Sequence, residues 1–184
     1  MTKATILFVA ILISVIANPA FAETSISDQQ ANAFYRHCMT KGDPRLSEHS
    51  QDALCSCTAV KMQEAIRPEY LDIMKENNPR GRAMLNYMLL NVYAPCIAYP
   101  AHDLVYRNCL TDVSIDTLDL KADRDGLCTC IAERTGIWLS KEGQGIMTEL
   151  LIDNPDMADP ISPVIESDFF KKASYQNLVA CLAR

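Results

Sequence analysis

The chain has few residues of the kinds that common catalytic motifs require. It contains only three histidines, His37, His49 and His102. It has no H-E-x-x-H motif, no G-x-S-x-G motif and no glycine-rich phosphate loop. These absences remove the sequence basis for a zinc protease, an α/β-hydrolase or a nucleotide-binding enzyme of the usual kinds.

Long apolar runs and blocks of like charge are also missing after residue 22. A helix that spans a bilayer needs about 20 apolar residues, so we expect no stable membrane insertion of the mature chain. The net charge is −6, and a mildly acidic protein is a poor candidate for binding nucleic acid or an anionic membrane.

The first 22 residues are predicted to be a secretory signal peptide. Lys3 supplies a positive start, residues 6–17 are apolar, and Ala20-Phe21-Ala22 provides a small-x-small cleavage site. Cleavage there leaves 162 of the 184 residues, and the loss of Lys3 changes the net charge from −6 to −7. The form of the signal is typical of bacterial export, so we expect a periplasmic or secreted protein.

All eight cysteines follow this segment, and they occur in the same order twice. Each set has one cysteine, a C-x-C pair and a distal cysteine. A Tyr-Arg step precedes each set, and an Asn-Pro step follows each C-x-C pair. The first set is Cys38, Cys55, Cys57 and Cys96, and the second is Cys109, Cys128, Cys130 and Cys181. The pattern predicts a tandem duplication, with one repeat over 23–99 and the other over 100–184.

An even number of cysteines at repeated spacing in an exported chain predicts a disulfide framework. Bridges inside each half are expected if the halves folded as units before duplication. Joining the two C-x-C cysteines to each other would strain a helical backbone. Either Cys38 pairs with Cys55 and Cys57 with Cys96, or these partners exchange, and the same two pairings stay open in the second half.

The apolar residues recur at helical spacing almost everywhere, which predicts an all-α fold. We expect about eight short helices in two four-helix halves, over 28–98 and 101–184. In the first half, a capping box at Ser27 opens one helix and Gly42 ends it. Further helices are expected from near Ser50, from Pro68 and from Pro79.

The second half is predicted to repeat this arrangement with two changes. A loop near 112–122 replaces the loop over 41–50, and the proline-containing segment 155–167 is the main insertion. Between them we expect one helix that includes Trp138 and another that Ser140 caps. A last helix is expected to carry residues 170–182.

Several side chains admit a structural or a functional interpretation. The three histidines do not recur between the halves, and we interpret them as exposed surface residues. Met84 and Met88 lie four residues apart, a spacing more typical of core packing than of a Cu(I) site. The acidic pair Asp123 and Asp125 is interpreted as turn residues or helix caps.

The Tyr-Arg step is interpreted as structural in both halves. Tyr35 and Tyr106 are expected to pack in the core, because they lie on the cysteine-bearing face of their helices. Arg36 and Arg107 are expected to pair with an acidic side chain or with the end of a helix.

The leading hypothesis is an exported binding or interaction module with an unknown protein partner and no enzymatic activity, cofactor or metal. In its compact, helical, disulfide-tied character the chain resembles periplasmic acid-stress chaperones and secreted immunity proteins, with no diagnostic motif matched. This gives two alternatives, a periplasmic stress chaperone and an immunity-type inhibitor of a toxic enzyme. A thiol oxidoreductase or a copper carrier is disfavoured. The usual redox spacing is C-x-x-C, and bridged cysteines offer no thiolate to a metal.

Overall fold

The computed structural model describes residues 25–117 and 123–183. The predicted signal peptide over 1–22 and the last part of the predicted loop, 118–122, lie outside the described residues. Within the described ranges all regular structure is helical and no strand is formed, which confirms the all-α prediction. No helix in these ranges combines the length and the apolar character needed to cross a bilayer.

Eight α-helices lie in the described ranges, four from each predicted half. The first half forms α1 (Asp28–Lys41), α2 (Glu48–Ala65), α3 (Pro68–Ile73) and α4 (Pro79–Met88). A π-helical turn (Leu89–Tyr93) and a 3₁₀ turn (Ala94–Cys96) continue α4 without a break. The second half forms α5 (Ala98–Thr111), a 3₁₀ helix (Val113–Thr117), α6 (Arg124–Asp153), α7 (Ile161–Glu166) and α8 (Asp168–Leu182).

The predicted start and end of the first helix are confirmed. The Ser27 side chain accepts a hydrogen bond from the backbone N–H of Gln30, and the Gln30 side chain accepts one from the Ser27 N–H. Gly42 ends α1 with a φ of +29°, which favours glycine. Pro68 and Pro79 lie in the first turns of α3 and α4 as predicted.

The predicted helix start at Ser140 is wrong, because α6 runs through it without interruption for 30 residues. The Ser140 hydroxyl donates to the Ile137 carbonyl within the helix instead of capping a new one. Leu139 and Met147 on either side are buried in the main core, at 1% and 0% exposure. Packing on both sides of Ser140 therefore favours one continuous helix over two short ones.

The structure forms four disulfides, and each of them stays within one half. The pairs are Cys38–Cys55, Cys57–Cys96, Cys109–Cys128 and Cys130–Cys181. Of the two pairings that the sequence leaves open, this is the one in which the first C-x-C cysteine faces the preceding helix. Residues two apart on a helix point about 200° away from each other, so each pair joins its helix to two different neighbours. No free cysteine occurs in the described residues.

The two halves share one main hydrophobic core. Leu54, Leu89 and Ile97 of the first half pack in the same cluster as Leu139 and Met147 of the second. A separate cluster around Met62, Ile66 and Val92 belongs to the first half alone. The duplication remains a prediction, but the two predicted repeats do not fold as separate bodies.

Candidate functional site

The eight cysteines, which form the clearest pattern in the sequence, are structural in this fold. Every bridge has one member with little or no exposure: Cys55, Cys96 and Cys128 at 0% and Cys181 at 7%. Each C-x-C cysteine is bonded to a cysteine outside the pair. The C-x-C pairs are therefore not dithiols in this structure.

Two of the three histidines line the same groove, although nothing in the sequence connects them. We call it the α2–α5–α6 groove, and its volume is about 490 Å³. This volume is within the range of about 300–1,000 Å³ that is usual for ligand sites. Its lining comes from both halves: Ser47, His49, Ser50, Ala53, Ala98, Tyr99, His102, Asp103, Tyr106, Glu133, Gly136 and Ile137.

Two hydrogen bonds dock the start of α2 on α5 and so form one wall of the groove. The Ser47 N–H donates to Oδ2 of Asp103 at 2.7 Å, and the Ser50 hydroxyl donates to the Tyr99 carbonyl at 3.2 Å. A carboxylate at a helix N-terminus also interacts favourably with the helix dipole. Asp103 thus has a structural role in addition to its place in the lining.

The rest of the lining includes exposed side chains that form no bond to other residues in the ranges 25–117 and 123–183. His49, His102 and Glu133 are exposed, and among the described residues none of their side chains forms a hydrogen bond or an ion pair. Tyr99 and Ile137 are 49% and 59% exposed. The carboxylates of Asp103 and Glu133 lie beside aromatic and aliphatic surface in this groove.

A second groove occupies the corresponding place in the first half. It lies between α1 and α2, with a volume of about 430 Å³. Six of its lining residues have counterparts in the α2–α5–α6 groove when positions are counted from the matching cysteines. The matched pairs are Asp28 and Tyr99, Ala31 and His102, Asn32 and Asp103, Tyr35 and Tyr106, Val60 and Glu133, and Gln63 and Gly136.

The two grooves differ at the pair of positions that face each other across the gap. In the first half, Nε2 of Gln63 donates to Oδ1 of Asp28 at 2.6 Å, so a hydrogen bond connects the two walls. In the second half these positions hold Gly136 and Tyr99. Because glycine has no side chain, no such bond connects the walls of the second groove, whose volume is slightly larger, about 490 Å³ against about 430 Å³.

The two tyrosines of the Tyr-Arg steps are not in the core, so that prediction is wrong. Each is half-buried at the edge of its groove, and its hydroxyl donates at 2.6 Å to an aspartate on the next helix, Tyr35 to Asp52 and Tyr106 to Asp125. These hydrogen bonds raise the pKa of both tyrosines. Both aspartates lie three residues before a C-x-C pair. This repeat in the sequence indicates the tyrosine–aspartate contact, but the prediction that the tyrosines pack in the core did not use it.

The two arginines of the Tyr-Arg steps differ. Arg107 donates to the Arg45 carbonyl at 2.8 Å and lies 4.0 Å from the Asp103 carboxylate, as the predicted pairing with an acid requires. Arg36 is exposed, and among the described residues its guanidinium forms neither an ion pair nor a hydrogen bond to the end of a helix, so the prediction is wrong for the first half.

The acidic pair Asp123 and Asp125 stands at the start of α6. Asp123 accepts from the Gly126 N–H and caps the helix, which confirms its predicted role. Asp125 lies in the first turn and accepts from the Tyr106 hydroxyl. Both carboxylates therefore accept hydrogen bonds from neighbouring groups of the protein.

Of Met84 and Met88, the methionines four residues apart, Met84 is half-buried and Met88 lies against apolar packing. Met88 and Met74 pack against the buried cluster that contains Met62. Among the described residues, no three histidine, cysteine or acidic side chains are placed to hold a metal ion together.

Comparisons with family models, with curated proteins and with solved structures gave no match for this chain.

Proposed function

We propose that this protein is an exported, non-catalytic binding module whose α2–α5–α6 groove receives a segment of a partner protein. The observation that carries the proposal is the difference between the two grooves. One is bridged by the Gln63–Asp28 hydrogen bond, whereas its counterpart is open at Gly136 and lined by exposed side chains.

Export is supported by the covalent structure. Four disulfides in a chain of this size are typical of proteins from an oxidising compartment, since cytosolic thiols are kept reduced. A rigid framework also favours binding, because a preformed groove loses less conformational entropy when a partner docks.

A non-catalytic role is supported by the bonding of the groove hydroxyls. The Ser47 hydroxyl accepts from the Ser50 N–H, and the Ser50 hydroxyl donates to the Tyr99 carbonyl. The Tyr106 hydroxyl donates to Asp125. None of these hydroxyls is paired with a histidine, as a serine nucleophile activated by a general base would be.

Site-directed photo-crosslinking in the exporting cells tests the proposal. A photoreactive phenylalanine derivative replaces Ile137 in the groove or Ile152, which is 73% exposed and lies outside it. We expect one discrete adduct from position 137, and we expect Gly136→Gln to abolish it. The crosslinked partner should form a 1:1 complex with this protein when both are purified. Equal adducts from both positions, or an adduct that Gly136→Gln leaves unchanged, would contradict the proposal.

A stress chaperone is a second candidate, because acidic side chains attach a surface segment beside an apolar cavity. We call residues 154–160 the strap. Asp156 and Asp159 of the strap pair with Arg82 and Arg45 of the first half. Between the strap and α4 lies a cavity of about 450 Å³ that Leu85, Met88, Leu89 and Tyr93 help to line. Loss of the Asp159–Arg45 ion pair in acid would weaken the attachment of the strap, which Met157 also anchors in the main core.

A further inference from the structure

The α2–α5–α6 groove has features that point to the chemistry of its occupant. We infer that it binds an arginine or lysine side chain presented by the partner protein. This inference rests on the proposed function, since it names what the groove recognises.

Gly136 leaves free space in the groove and is not required by the fold. It lies inside α6, where glycine is an unfavourable helix former. Its backbone does not have a positive φ. A Cβ built at this position would lie 3.8 Å from both the Ala98 carbonyl oxygen and the His102 Cβ, which is ordinary contact. Neither backbone geometry nor tight packing requires glycine here, and what a larger residue would change is the free space of the groove.

Gly145 on the same helix provides the contrast. A Cβ built there meets no atom within 4 Å. A glutamine at position 145 therefore extends into solvent, whereas at position 136 it enters the groove in the way that Gln63 enters the first-half groove. The two substitutions add the same side chain to the same helix and differ in whether they fill the groove.

The open groove combines negative charge with an aromatic ring. Glu133 carries a carboxylate that no described side chain neutralises, at a position where the first-half groove has Val60. Tyr99 presents a ring that is 49% exposed, at the position of Asp28. Guanidinium and ammonium groups are attracted both to carboxylates and to the faces of aromatic rings. Because the chain as a whole has a net charge of −6, the surrounding field also favours a cation.

The remaining surface suits a long basic side chain in size and polarity. Ala53, Ala98 and Ile137 give the groove an apolar side that matches the methylene stem of such a residue. A volume of about 490 Å³ accommodates one extended side chain and parts of its neighbours, but it is small for a folded element. The expected occupant is therefore one arginine or lysine with apolar residues beside it.

Nuclear magnetic resonance titration of the ¹⁵N-labelled oxidised protein tests this inference. The probes are acetyl-Leu-Arg-Leu-amide, the same peptide with neutral citrulline in place of arginine, and 1,5-diaminopentane. We expect the arginine peptide to shift amide signals of Tyr99, Gly136 and Ile137. It should bind at least about tenfold more tightly than the citrulline peptide.

The variants separate the groove from the rest of α6. Gly136→Gln should weaken binding of the arginine peptide at least about tenfold, and Gly145→Gln should leave it unchanged. Glu133→Gln should reduce the preference for arginine over citrulline. Equal binding of the two peptides, or shifts that persist in Gly136→Gln, would overturn the inference. Tighter binding of the diamine than of the arginine peptide would also overturn it, in favour of a small free cation.

The two proposals fail in different ways. If the peptides show no preference for arginine but Gly136→Gln still abolishes the crosslinked partner complex, the groove binds a partner through other chemistry. If the arginine peptide binds as expected but no adduct forms at position 137, the groove recognises cations and the protein-partner proposal is wrong.

Discussion

Glycines in α6 that look equivalent in the sequence occupy different environments. A Cβ at Gly143 would lie 3.0 Å from Cγ2 of Ile97 and 3.2 Å from the Ala94 carbonyl oxygen. Gly143 is therefore a point of close approach between the two halves, whereas Gly136 faces the groove and Gly145 faces solvent.

These environments predict opposite responses to alanine. Gly136→Ala and Gly145→Ala should each stabilise the protein by about 1 kcal/mol, because alanine is the better helix former. Gly143→Ala should destabilise it by about 1–3 kcal/mol through overpacking. Urea unfolding of the three variants measures these changes. A destabilised Gly136→Ala would show that the fold requires this glycine and would remove one support of the groove proposal.

Only some contacts of the residues that correspond between the two grooves could be predicted from the sequence. The prediction places Tyr35 and Tyr106 on the cysteine-bearing face of their helices. That face also borders a groove, and each tyrosine hydroxyl donates there to an aspartate on the next helix. Alignment of the two halves is sufficient to place Gly136 opposite Gln63. Helical periodicity cannot show that Gln63 reaches Asp28 across a gap, because that contact depends on how the helices pack.

At the scale of elements, the helix starts of the first half were predictable because capping residues and prolines act locally. Ser27, Pro68 and Pro79 lie where their local chemistry requires. The uninterrupted α6 was not predictable. Ser140 predicted a new helix start, while burial against the first half holds the helix together. The choice between the two disulfide pairings likewise depended on packing.

The bridges should contribute unequally to stability. Cys38–Cys55 closes a loop of 17 residues and Cys130–Cys181 one of 51 residues. In the chain-entropy model the shorter loop corresponds to about 3 kcal/mol and the longer to about 4 kcal/mol. Paired Cys→Ala variants of each bridge, compared by urea unfolding, measure the difference. An equal or reversed order would indicate that native-state packing around the bridges outweighs loop entropy.

At the scale of the whole molecule, the strap joins the halves through charged groups. The hydrogen bond from Arg45 holds the pKa of Asp43 below its ordinary value. Burial alone would raise the pKa of Asp159, but hydrogen bonds from Ser162 and Ile161, with the nearby Arg45, lower it. A carboxyl group whose pKa is lower in the folded state than in the unfolded chain stabilises the fold at pH values above its unfolded pKa of about 4. This stabilisation is lost as the pH falls through the lower, folded-state pKa.

We therefore expect the strap to loosen below about pH 4. Binding of a hydrophobic dye should rise in this range, and aggregation of a client protein should fall. Arg45→Gln should move the rise in dye binding to higher pH, because it removes the cation that Asp43 and Asp159 share. Lys75→Gln is a control, since Lys75 forms its exposed ion pair with Asp72 and not with a strap residue. Dye binding that stays low down to pH 2 would end the chaperone candidate.

A scaffold of two halves, each closed by its own disulfides, is the claim on which the binding proposals depend. The most direct test is the intact mass of the exported protein after alkylation with and without reductant, followed by peptide mapping of the bridges. We predict no alkylation without reductant and the bridges Cys38–Cys55, Cys57–Cys96, Cys109–Cys128 and Cys130–Cys181. A bridge between the halves, or a free C-x-C pair, would contradict the account and direct attention to thiol or copper chemistry.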